Sequence, residues 1–101
     1  MDAVFRALAD PTRRQLLDSL RRRDGQSLAQ LCAPLALSRP AVAKHLAALE
    51  AAGLVAVQWR GREKRHFLNT APLLGIQKRW LQNFESAEQR TAKAVDRALG
   101  R

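Results

Sequence analysis

Residues 38 to 55, SRPAVAKHLAALEAAGLV, leave little freedom in how this chain can fold. Ser38 is a favoured N-cap, and Pro40 falls in a first turn, where its missing N–H has no partner to lose. Val42, Leu46 and Leu49 recur at helical spacing and give one apolar face. The opposite face begins with Arg39, Ala41, Lys44 and His45. Gly53 ends the run as a C-cap. Upstream, Leu28, Leu31 and Leu35 mark a shorter helix capped by Ser27, with only Ala36 and Leu37 between the two. Pro34 shortens that helix by removing an amide bond. Two short helices joined by a tight turn, the second with small, polar and basic residues on its open face, make a helix-turn-helix pattern. Residues 38–52 are expected to enter a DNA major groove.

The flanking segments fit around this unit. Residues 2–9 form a short amphipathic helix with Val4, Phe5 and Leu8 apolar. Asp10-Pro11-Thr12 then opens a second helix, whose inward residues are Leu16, Leu17 and Leu20. Arg21, Arg22 and Arg23 suit its C-terminus, where they offset the helix dipole, and Asp24-Gly25-Gln26 is a turn. After Gly53 the period drops to two: Val55, Val57 and Trp59 alternate with Ala56, Gln58 and Arg60. Gly61-Arg62 and a second extended run, 64–69, complete a β-hairpin. Its tip carries Arg60, Arg62, Lys64 and Arg65 against Glu63. Asn69 or Thr70 can cap a last helix, with Pro72 in its first turn. The stripe Leu73, Ile76, Trp80, Phe84, Ala87, Thr91, Val95 and Ala98, widened by Leu74 and Leu81, predicts one continuous helix over 72–99.

The fold expected is mainly α with a small β-hairpin, a winged helix-turn-helix in the order α-α-α-α-β-β-α, occupying residues 1–101 as one domain. A compact core needs only part of the last helix. Its leftover apolar surface points to a second copy, with 2–9 and 72–99 as the interface and Val4, Phe5, Leu8, Leu73, Leu74, Trp80, Leu81 and Phe84 as contacts.

Charge narrows the partner. The 101 residues hold 18 Lys+Arg against 9 Asp+Glu, a formal +9, which favours a polyanion, nucleic acid first. A merely soluble basic surface would give the same count. With a single cysteine, Cys32, no intramolecular disulfide forms. No apolar run reaches membrane-spanning length and no signal-peptide pattern opens the chain, so a cytoplasmic protein without a membrane partner is expected. There is no Gly-rich phosphate loop, nucleophile motif or cluster of carboxylates, and an enzyme is not expected.

Val4-Phe5-Arg6-Ala7-Leu8-Ala9-Asp10-Pro11-Thr12-Arg13-Arg14, Leu35-Ala36-Leu37-Ser38-Arg39-Pro40-Ala41-Val42-Ala43-Lys44-His45-Leu46, Leu49-Glu50-Ala51-Ala52-Gly53-Leu54-Val55 and Gly61-Arg62 together resemble the ArsR-type winged-helix repressors over nearly the whole chain. The resemblance implies a homodimer joined through its first and last helices, a fourth helix that reads double-stranded operator DNA, and a wing on the flanking backbone or minor groove. It departs from the metal sensors of that family. Their Cys-x-Cys box is met here by Leu31-Cys32-Ala33-Pro34, with one thiolate, and their ligand pairs on the last helix by a segment without histidine. His45 and His66 stand elsewhere. A tight site takes several converging ligands. A branch without metal boxes is therefore expected, with neither metal nor cofactor and an unidentified small-molecule inducer left open.

The residues expected at DNA follow from position. Ser38 and Arg39, at the positive end of the reading helix, suit phosphate, and Arg39 alternatively a guanine edge. Pro40 and Ala41 are small enough for close approach or a thymine methyl. Lys44 can reach bases or phosphates one turn later; His45 can do so or hold an internal hydrogen bond. Arg62 suits the minor groove or a phosphate, Arg60 and Lys64 add unspecific charge, and Ser27, beside Gln26, adds a backbone contact. Cys32 reads as a small buried hydrophobe or as a thiol whose oxidation releases DNA. Beside a specific repressor stand two alternatives: a redox- or small-ligand-responsive switch, and a sequence-neutral DNA-binding protein.

Overall fold

The computed structural model describes residues 1–100. Its helices begin where the sequence supplies acceptors for their unpaired amides. After α1 (Asp2–Leu8), Asp10 caps α2 (Pro11–Arg22), accepting from Thr12 N at 2.8 Å and Arg13 N at 3.2 Å. Arg14 returns the favour to α1, donating to the Leu8 carbonyl at 2.6 Å. The Arg13 amide lowers the Asp10 pKa below its ordinary 3.8, helped by the Thr12 amide and by the charges of His45 and Arg13, against an opposing desolvation. A carboxyl depressed in the folded state stabilises above its ordinary range and stops doing so as pH falls through the folded value. The gap in urea midpoint between the native chain and Asp10→Asn is therefore expected to be widest above about pH 5 and to close in acid. A gap that stays constant with pH would show that the charge is not its source.

Ser27 opens α3 (Leu28–Cys32) through a capping box. Its Oγ accepts from Gln30 N at 3.3 Å, and Gln30 Oε1 accepts from Ser27 N at 2.9 Å. Ser38 Oγ accepts from Ala41 N at 3.3 Å and starts α4 (Arg39–Ala51). At its end Leu54 N donates to Leu49 O at 3.0 Å and Gly53 N to Glu50 O at 2.9 Å, the pairing of a Schellman motif. Gly53 takes φ +76°, which a side chain rarely adopts.

The hairpin follows: β1 (Val55–Arg60) pairs antiparallel with β2 (Glu63–Leu68), from Val55 opposite Leu68 to Arg60 opposite Glu63. Gly61, at φ +63°, leads the two-residue turn. The strands are stitched to the α2–α3 turn. His66 N donates to Gln26 O at 2.9 Å, Gly25 N donates to His66 O at 2.9 Å, and Asp24 Oδ1 accepts from Leu68 N at 2.8 Å. The core gathers Val4 and Ala7 of α1, Leu16, Leu17 and Leu20 of α2, Leu31, then Val42, Leu46 and Leu49 of α4, Leu54, Val55 and Ile76.

The last segment departs from the continuous helix expected. Asn69 Oδ1 accepts from Ala71 N at 3.2 Å, and α5 (Ala71–Arg79) stops before Trp80, which lies at φ −129°, ψ −59°. A 3₁₀ turn, Leu81–Phe84, leads into α6 (Glu85–Ala98). At the break Asn83 N bonds Trp80 O at 3.0 Å, and the Asn83 side chain donates to the Arg79 carbonyl at 3.2 Å in place of the missing helical amide. The Trp80 ring meets Phe5 of α1 edge-on at 5.6 Å and Phe84 at 5.3 Å. Those contacts and the side chain of Asn83 accompany the break; the apolar spacing alone fits a broken or a continuous helix. The molecule measures 63 × 27 × 22 Å.

Candidate nucleic-acid interface

The reading helix is held by one face and open on the other. Val42, Leu46 and Leu49 are almost wholly buried, while Ser38, Arg39, Pro40 and Lys44 are exposed and Ala41 is half-buried. At the wing, Arg60 and Arg62 are exposed. None of the three ion pairs among the described residues involves Arg39, Lys44, Arg60 or Arg62. Four exposed cations are thus spread over the first turns of α4 and the end of the hairpin, where phosphates can attract them without competition.

Other residues expected at DNA are committed within the protein. Ser27 is buried, and its hydroxyl and amide are taken by Gln30. Its side chain is a capping device and not a phosphate contact. Lys64 Nζ lies 3.3 Å from Glu50 Oε2, so it ties β2 to α4 and brings little free charge. His45 is half-buried and accepts from Arg13 Nε at 3.3 Å through Nδ1, which puts the proton of the neutral ring on Nε2. The internal hydrogen bond, of the two roles open for His45, is the one formed. Arg13 also donates to the Arg6 carbonyl at 3.4 Å, so one side chain links the end of α1 to the reading helix.

Sequence reasoning missed the residues that brace the wing. Gln26 is buried, and its amide donates to Ser19 O at 3.1 Å, Ser19 Oγ at 3.1 Å and Arg23 O at 2.6 Å. His66, 3% exposed, holds its Nδ1 at 2.9 Å from Gln26 O; a ring nitrogen facing a carbonyl carries the proton. Arg65 turns inward to Gly25 O at 3.1 Å and Gln30 Oε1 at 3.4 Å, and pairs with Glu63 at 3.3 Å. The adjacent Asp24-Gly25-Gln26 turn was the only signal, and a turn alone does not name its partner 40 residues on.

Away from this side, Phe5, Leu74, Trp80, Leu81 and Phe84 remain exposed, with about half of Phe84 in solvent (50%). Leu8 and Leu73 pack partly against the core. Together Phe5, Leu8, Leu73, Ile76, Trp80 and Leu81 line a groove of about 550 Å³. Val4, expected on this surface, is 6% exposed within its own core and offers a second copy nothing. Cys32 is half-buried. Among the described residues no three His, Cys, Asp or Glu side chains converge as metal ligands. No described helix is long and apolar enough to cross a membrane.

A helix presented from a helix-turn-helix beside a basic hairpin defines a DNA-binding protein. Residues 8–58 match the family described as a helix-turn-helix domain. The chain is 39% identical over 87 residues to the uncharacterized HTH-type transcriptional regulator YuzN of Bacillus subtilis, covering 80% of this chain and 95% of that one. It is 32% identical over 84 residues to the transcriptional repressor SdpR of the same organism, covering 83% and 91%. Its fold matches an ArsR-like transcriptional regulator from Rhodococcus sp. RHA1 with a TM-score of 0.77 at 38% identity, over 98% of this chain and 89% of that one. The chain belongs to the ArsR-type helix-turn-helix family and is a DNA-binding transcriptional regulator.

Proposed function

We propose that this regulator is a homodimeric repressor that occupies operator DNA in the cytoplasm and catalyses no reaction. The observation that carries the reading is the exposure of Arg39, Pro40 and Lys44 on a helix whose opposite face is locked into the core. Two such helices, one from each copy, would meet successive major grooves, with Arg60 and Arg62 of each wing on the flanking phosphates or minor groove. Phe5, Trp80, Leu81 and Phe84, with Leu8, Leu73 and Leu74 beside them, would join the copies. That SdpR is named a transcriptional repressor supports the direction of control.

The test is a titration of duplex from upstream of the protein's own gene against the same bases scrambled, at near-physiological salt. A preference of roughly a thousandfold is expected of a specific regulator. Equal binding to the two would favour a protein that holds DNA by charge alone. On the preferred duplex, Arg39→Ala is expected to weaken binding at least tenfold, about the worth of one base-reading arginine, and to cost the scrambled duplex less. An equal loss on both would make Arg39 a phosphate contact.

A further inference from the structure

Trp59 has no structural task in the wing. It is 64% exposed, more than any other large apolar side chain of the described residues. Its strand neighbours inward along the same face are engaged: Val55 is buried in the core and Val57 half-buried. Cross-strand, Trp59 stands opposite Lys64, and Val57 opposite His66. Alternation along the strands puts Trp59 on the face of Lys64 and His66. That face turns toward the reading helix: Lys64 reaches Glu50, and Lys64 and His66 line a small cavity with Ala43 and Ala47. Trp59 is thus the outermost side chain of the wing's inner face. It stands across the strands from the lysine of the Lys64–Glu50 tie and two residues before Gly61 of the turn.

An indole left in water gives up apolar burial that folding could have used. Its surroundings say what could cover it. Arg60 and Arg62 are exposed beside it and free of ion pairs among the described residues. A second copy of a chain with net charge +9 would bring cation onto cation there. A polyanion with apolar faces between its charges fits. We infer that Trp59 is a DNA-contacting residue of the wing, laying its indole face on a deoxyribose at the edge of the groove and donating its Nε1–H to a phosphate. The contact needs no particular base. It supplies affinity and seats the wing, and it rests on the reading that this side of the protein meets duplex DNA.

The experiment uses the full chain and a fluorescein-labelled duplex of scrambled sequence at low salt, where phosphate binding is strongest. Anisotropy reports binding, and an unlabelled copy of the duplex is added while tryptophan emission is followed. The native protein is expected to change emission on binding, and Trp59→Phe to lose that change while Trp80 stays as an internal constant. Trp59→Ala is expected to weaken binding roughly tenfold, about the loss of one hydrogen bond to a charged phosphate, and Trp59→Phe to weaken it as well through the same lost bond. Gln58→Ala, on the other face of the same strand, is expected to bind as the native chain does. A Trp59→Ala protein that binds duplex at native strength, with the native protein's emission indifferent to DNA, would overturn the assignment and leave DNA binding standing. A change in sedimentation of Trp59→Ala without a change in duplex affinity would overturn it in favour of self-association. A native chain that binds no duplex would overturn both this contact and the regulator reading beneath it.

Discussion

With alanine at both Trp80 and Phe84, the protein is expected to sediment as a monomer at concentrations where the proposed dimer of the native chain forms. The two rings and Phe5 form a ladder of edge-on contacts, 5.6 Å from Phe5 to Trp80 and 5.3 Å from Trp80 to Phe84. Roughly half of each of the two replaced rings lies in solvent within one chain, at 45% and 50%. Aromatic anchors at the centre of an interface commonly contribute about 2 kcal/mol or more each when truncated. Losing two should weaken association by roughly a thousandfold. Neither residue belongs to the buried core cluster, so far-ultraviolet circular dichroism should still show the winged helix-turn-helix. A full-strength dimer in the double variant would place the interface elsewhere. A dimer lost together with the helical signal would instead make the two rings part of the folding unit, and Leu81→Ser would then test the surface alone.

Leu49→Ala is expected to be the most damaging single truncation on the reading helix. Leu49 is 0% exposed and lies in the last full turn of α4, where Leu46 and Val42 share its face. Truncating a buried leucine costs about 2–5 kcal/mol, because the lost contacts and the cavity add. A domain of this size has roughly 5–15 kcal/mol in all. The melting temperature should fall by about 10 °C or more, read by circular dichroism at one protein concentration. Leu49→Met, which keeps the volume, should cost less than about 1.5 kcal/mol. A melting temperature unmoved by Leu49→Ala would mean that the helix is not seated by this residue.

What could be read from the residues alone was largely local. Asp10, Ser27 and Ser38 announce helix starts because a short acceptor beside a leucine pattern has few other uses, and each is found capping. Gly53 and Gly61 mark the C-cap and the hairpin turn for the same kind of reason. The exposure of Arg39, Pro40 and Lys44 on the open side of α4 followed from helical phase. What failed was distant. A charge reads as solvated until its partner is known, and the partners of Lys64 and Arg65 lie 14 and 40 residues away. Ser27 is legible as a cap, but its burial and the return bond from Gln30 depend on tertiary packing that the local sequence does not show. The last helix read as continuous because three- and four-residue steps persist through 80–84. The break involves Phe5, at the other end of the chain, and no window on the last helix contains it.

The wing's root matters for how flanking DNA is chosen. Hydrogen bonds between the Asp24-Gly25-Gln26 turn and Arg65, His66 and Leu68 join the hairpin to the helices without DNA. A strand pair hinged at its base could swing to suit whatever duplex it met. In the proposed complex this one would hold its angle to the reading helix, and the duplex would have to supply the fit. Stretches that already have the required groove width, or bend to it cheaply, are then favoured over stiffer ones. Bases beneath the wing would come to be selected by their elasticity, at positions where no side chain inspects them.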